Sequence, residues 1–168
     1  MREALISLRK QDVEAEEILV ASVKVGILSH HGETYLPSLR TLLEFSSYPP
    51  TIPGWYGLYL LFILEDPYEF YSFTSTIQVN PYYKKLAIAL IHGNYIAYTK
   101  LIGSGSRFDK ALIMDSPGDI RMKKRVVDVV GKCYYRVGVG WFNRLSRTHR
   151  WTQEGNMYII RRQLQKAS

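Results

Sequence analysis

From Val13 onward, apolar residues return every three or four positions. Val13, Ile18, Leu19, Val23 and Ile27, with Ser22 among them, form one stripe, while Glu14, Glu16, Glu17 and Lys24 occupy the other side. This spacing, with Asp12 as cap, predicts a helix over 12–29. In YLPSLRTLLEF, Leu39, Leu42 and Leu43 give a second, shorter stripe, and Pro37 suits a first helical turn. SSYPPTIPG reads as a loop, because prolines at 49, 50 and 53 remove amide donors and favour extended backbone. The run WYGLYLLFIL, Trp55 to Leu64, then reads as a core helix that Asp66 and Pro67 end while opening the next. Its ten residues are about half of the roughly 20 that a membrane-spanning helix needs.

Asn80-Pro81 pairs a cap with a first-turn proline and starts PYYKKLAIALI, which stops at Gly93. Asn94 opens NYIAYTKLI, running to Gly103. GSGS reads as a flexible linker before RFDKALIM, which stops at SPGD. Helices of this length on short turns predict a mainly α fold, an antiparallel helical array without a fixed-period repeat motif.

Asp119 is expected to cap the next helix. On a 100° wheel, residues 121–136 place Met122, Val126, Val129, Val130, Cys133 and Tyr134 on one arc. Arg121, Lys124, Arg125, Asp128, Lys132 and Arg136 fall opposite, and Lys123 and Tyr135 break the division. Asp128 stands four residues from Lys124 and from Lys132, where a helix forms ion pairs. Val137 to Gly140 reads as a short extended link and WFNRLSR as a short helix. The tail predicts a small β-hairpin turning at Gln153 to Asn156, with Met157 and Ile159 on one face and Tyr158 and Ile160 on the other. A helix from Thr152 is the alternative, since Met157, Ile160 and Leu164 also fit helical spacing.

Composition changes this picture in one respect. The 168 residues, 46% of them apolar, suffice for a packed core, and the net charge is +7. That charge is unevenly placed: residues 1–80 hold five Lys/Arg against ten Asp/Glu, and residues 81–168 hold seventeen against five. The basic half suits an acidic protein surface or nucleic acid, through attraction that weakens with salt. One cysteine excludes an internal disulfide, and no N-terminal segment has the pattern of a secretory signal, so the expected location is intracellular, nucleus and/or cytoplasm.

Candidate chemistry is sparse. His30-His31 followed by Glu33 suggests a metal, but adjacent helical side chains diverge by about 100° and no other histidine has ligand spacing. Cys133, within the apolar arc, reads as a buried inert thiol. GSGSR lacks the lysine and spacing of a P-loop, and Glu65-Asp66 reads as helix-end chemistry. No catalytic residue, cofactor, metal, membrane partner or small-molecule substrate is expected. The candidate contact residues are Arg121, Lys124, Arg125, Lys132 and Arg136, then Arg144, Arg147 and Arg150, then Arg161 and Arg162. Tyrosines at 82, 83, 95, 98, 134, 135 and 158 suit base stacking or a protein interface.

Two segments also resemble a known family. KLAIALIHGNYIAYTKLI, with its Gly93-Asn94-Tyr95 turn, is similar to a segment of the PCI superfamily: GANP-type mRNA-export scaffolds and the small subunits of the proteasome lid, COP9 signalosome and translation initiation factor three. Arg121 with VVDVVGKCYYRVGVGWFNRL resembles the first two helices of the winged-helix part of those proteins, and WTQEGNMYIIRR looks like the wing. Between Leu145 and that wing the chain is too short for the usual third helix, so either that helix is absent or the tail is the helix and the wing is absent. The resemblance, over about residues 81–163, implies PCI-like helices over 1–118 and a winged-helix-like subdomain over 119–168, packed together as one unit. It implies a non-catalytic scaffold of an intracellular multiprotein complex, bound to another PCI or winged-helix protein, with nucleic-acid binding as the alternative.

Overall fold

The structure is a computed structural model, and it describes residues 13–44, 48–134, 136–143 and 151–160. The protein is mainly helical, with a small three-stranded antiparallel sheet near its C-terminal end. The chain divides into two units, Met1–Asp119 and Ile120–Ser168.

In the first unit, α1 (Val13–Leu28) buries Ala15, Leu19, Val23 and Ile27. Leu19, Val23 and Ile27 of the expected stripe are among these, whereas Ile18, expected with them, is exposed. The reason lies in the partner helix, α2 (Gly32–Leu43), which packs closely along the row of small residues. A Cβ at Gly26 would stand 2.8 Å from Tyr35 Cβ, and the Ser22 and Ser38 hydroxyls are 3.4 Å apart. Helix α2 starts before the expected first turn, so Pro37 lies inside it.

Helix α3 (Thr51–Leu58) begins within the expected loop. Pro53 falls in its first turn, where a helix amide has no internal acceptor and its absence costs nothing. The chain then runs through one π turn (Tyr59–Ile63). As expected of a core helix, Leu58, Leu60, Leu61 and Phe62 are buried. Asp66 caps α4 (Pro67–Thr76), accepting the Glu69 amide at 2.9 Å.

Asn80 caps α5 (Pro81–His92), which Gly93 closes at φ 69°, and Asn94 caps α6 (Tyr95–Ser104) by accepting the Ala97 amide at 3.1 Å. All three punctuation marks act as read. The GSGS segment does not form a linker. Helix α6 runs through Ser104, and Ser106 already caps α7 (Arg107–Ile113) in a capping box with Asp109, leaving Gly105 alone between them. A side chain at Gly105 would collide with the Tyr82 hydroxyl.

Two buried aspartates tie this unit together. Asp109 Oδ1 accepts the Trp55 indole N–H and the Tyr83 hydroxyl, each at 3.1 Å, while Oδ2 accepts the Ser106 amide at 2.8 Å. Asp119 Oδ1 accepts the Tyr98 hydroxyl at 2.7 Å and Oδ2 the Asp115 amide at 3.1 Å. Asp119 is therefore not the cap of α8 (Pro117–Cys133). Ser116 is, its hydroxyl accepting the Asp119 amide at 3.3 Å. Both aspartates stand third after a capping serine, where their charge also favours the helix N-terminus. Burial, reinforced by the neighbouring aspartates, pushes the Tyr83 and Tyr98 hydroxyls well above their ordinary pKa, and Tyr82 rises to about 12 by burial and then by Asp109.

In the second unit, β1 (Arg136–Gly138) leaves α8 and leads into α9 (Val139–Phe142), which starts two residues before the expected helix. Strands β2 (Thr152–Glu154) and β3 (Met157–Ile159) form a hairpin, so the tail is not the alternative helix. Gly155, at φ 58°, takes the first place of its two-residue turn, where primed turns need positive φ. The order is β1-β3-β2, with Val137 opposite Tyr158. Tyr158 faces inward and donates to Asn143 Oδ1 at 2.7 Å, whereas Met157 is exposed.

Candidate partner-binding face

Helix α8 carries the first group of predicted contact residues. Arg121, Lys124, Arg125 and Lys132 are exposed, as is Arg136 at the start of β1. On the helix, Arg121, Arg125 and Lys132 share one row with the exposed Asp128, and Lys124 lies about 60° to the side. The row is roughly 16 Å long at 1.5 Å per residue. Lys123 is half-buried, consistent with its position between the faces. Arg144, Arg147, Arg150, Arg161 and Arg162 lie outside the described residues.

The opposite arc behaves differently along its length. Met122, Val126 and Val130 are buried, but Val129 is 50% exposed, Tyr134 is 56% exposed and Cys133 is exposed. The expected buried thiol is thus corrected. Helical periodicity gives the direction of an apolar face and says nothing about how far along the helix a covering layer extends. Near the last turn the described cover is the Trp151 ring, whose Cζ2 is 3.5 Å from where a Gly131 Cβ would stand. The exposed surface at this end consequently mixes Val129, Cys133 and Tyr134 with Lys132 and Arg136.

Most of the tyrosines offered for stacking are otherwise engaged. Tyr83 and Tyr98 are buried against aspartates, Tyr158 is buried under the sheet, and Tyr82 donates to the Leu101 carbonyl at 3.2 Å. Tyr134, directly after α8, presents an exposed ring, and Tyr135 lies outside the described residues.

His30 and His31 lie at a helix junction. His30, at φ 56°, closes α1 in a Schellman motif, with the His31 amide donating to the Gly26 carbonyl at 3.1 Å, and the His31 carbonyl accepts the Thr34 hydroxyl at 2.8 Å. Among the described residues no group of three His, Cys, Asp or Glu side chains is placed to hold a metal ion. Beside His30 opens a cleft of about 400 Å³, also lined by Tyr35, Ile63, Leu112 and Asp115, which the sequence did not announce. Among the described residues no helix is long and apolar enough to cross a membrane.

No protein-family model matches the chain, and no curated protein matches it either.

Proposed function

We propose that this protein is a non-catalytic adaptor of an intracellular multiprotein assembly, PCI-like in its helical array, with a winged-helix-like C-terminal unit that binds a partner protein. The observation that carries the reading is the composition of the exposed end of α8, where Val129, Cys133 and Tyr134 stand among Lys132 and Arg136. Apolar and aromatic area ringed by cations suits an acidic protein surface with an apolar centre. The winged-helix reading is supported by the linker strand β1, which joins the hairpin edge through β3 and so ties the two helices to the wing. The array reading rests on the capped α5–α6 pair around Gly93-Asn94-Tyr95.

The test is affinity capture with the full chain from an extract of its own cells. Val129→Asp with Tyr134→Ala is expected to release a stoichiometric partner, and Lys124→Glu, Arg125→Glu and Lys132→Glu together are expected to weaken capture in a salt-dependent way. Unchanged capture by both variants overturns the reading.

Nucleic-acid binding is the second reading, favoured by the exposed row Arg121, Arg125 and Lys132. Several phosphate contacts give a steep fall of affinity with salt. Asp128 in the same row and the burial of Tyr83, Tyr98 and Tyr158 weigh against it. Titration of the chain with RNA and with duplex DNA from about 50 mM salt upward separates the two readings.

A further inference from the structure

We propose that the cleft between the end of α1 and the turn from α7 into α8 is a binding site for a small uncharged molecule with an apolar body and one hydrogen-bond acceptor. Its walls all belong to the first unit. Ile27 comes from α1, Ile63 from the π turn, Ala111 and Leu112 from α7 and Met114 from the turn that follows, while Pro117 opens α8. At about 400 Å³ the cleft has the size of sites that hold small organic ligands.

One polar group in the lining determines what such a ligand carries. Tyr35 lines the cleft and is only 4% exposed, yet its hydroxyl makes no hydrogen bond with any described residue. Buried phenols ordinarily find a partner, because an unmade hydrogen bond forfeits the solvation the group had in water. The ring is held by its neighbours: α1 packs onto Tyr35 at Gly26, and the Tyr59 ring stands at 84° to it with centres 6.3 Å apart. Burial, and after it Tyr59, push the phenol up to about 12, so it remains a neutral donor at physiological pH. A fixed donor without an acceptor, set among apolar walls, is matched by an acceptor on an apolar body.

The other polar residues do not call for a charge. Ser116 is spent on the turn, donating to the Ile113 carbonyl at 2.6 Å and accepting the Asp119 amide at 3.3 Å. Asp115 has an interaction of its own, and both Asp115 and His30 are exposed, where water screens them. No Lys or Arg stands among the described lining residues. A charged ligand would give up its hydration to apolar walls and gain only screened contacts at the exposed rim, whereas a neutral one buries apolar area without that cost.

The test is titration of the full chain with three molecules of similar shape, acetophenone, benzoate and benzylamine, each to about 20 mM, followed by NMR through the methyl groups of Ile27, Ile63, Leu112 and Met114. Acetophenone is expected to shift these methyls and to bind about tenfold or more tighter than either ion. Tyr35→Phe removes a hydroxyl that no described residue uses. It is expected to melt within about 2 °C of the wild type while binding acetophenone about three- to tenfold more weakly. Ala111→Phe, which fills the cleft from α7, is expected to abolish binding in a chain that keeps the methyl spectrum of the folded state. A cleft that holds water alone leaves the methyls unmoved by all three probes, and that result overturns the proposal. So does binding of benzoate or benzylamine as tight as that of acetophenone, or full acetophenone affinity in Tyr35→Phe.

Discussion

Two positions show how much single residues decide. Gly93 and His30 play the same part, each closing a helix at positive φ, with the following amide reaching back to a carbonyl of the preceding turn. Glycine does this without strain, whereas a residue with a Cβ costs about 1–2 kcal/mol there. His30→Gly is therefore expected to raise the unfolding free energy by about 0.5–1 kcal/mol, after glycine's greater loss of chain entropy is subtracted, as read from urea denaturation. At the other extreme, Tyr98→Phe removes the buried hydroxyl that donates to Asp119 Oδ1, a charge-assisted hydrogen bond, with an expected loss of about 1–3 kcal/mol. The same phenols set an alkaline limit. A hydroxyl whose folded pKa is raised leaves stability intact below about pH 10, where both states are protonated. Above that, the unfolded chain ionises first, and stability falls as pH rises through the folded value, about 12 for Tyr35 and Tyr82. Urea midpoints from pH 9 to 12 should fall accordingly, less steeply in Tyr98→Phe, and phenolate absorbance should appear together with unfolding.

At the scale of elements, caps were the most legible feature. Asn80-Pro81, Gly93-Asn94 and Asp66-Pro67 act where the side-chain chemistry says they must, because a cap depends on atoms within four residues. Ser106 and Ser116 both follow S-x-x-D logic but were hidden behind neighbouring glycine and proline, which suggested a linker at GSGS and only a helix stop at SPGD. Helix α8 shows the boundary between local and tertiary information. Val126 and Val129 lie on one apolar arc by sequence, yet one is buried and the other half-exposed. Val126→Asp is expected to destabilise the fold by about 3 kcal/mol or more, because an unpaired charge would be buried. Val129→Asp is expected to change stability by less than about 0.5 kcal/mol. Thermal melts of the two variants measure the contrast.

At the scale of the whole molecule, charge is divided along the chain, acidic over residues 1–80 and basic over residues 81–168. An adaptor reading expects salt to weaken partner capture gradually, with the apolar end of α8 holding on, whereas a phosphate-binding surface would lose affinity by orders of magnitude over a few-fold rise in salt. Reversal of Lys124, Arg125 and Lys132 followed by the same capture measurement tells these apart. What the sequence alone determined was the helical class, the caps at Asp66, Asn80 and Asn94 with the Gly93 stop, and the direction in which most helices turn their apolar face, while the hairpin was the favoured of two readings of the tail. These depend on backbone sterics and on spacing along the chain, both readable without neighbours. Only the tertiary structure decided which apolar positions are covered. The close approach of α2 at Gly26 left Ile18 outside, Asp109 and Asp119 drew in tyrosines that could have served a surface, and Cys133 is exposed although Met122, Val126 and Val130 on the same arc are buried. Burial belongs to pairs of elements distant in sequence, and no periodicity within one element records where its partner ends.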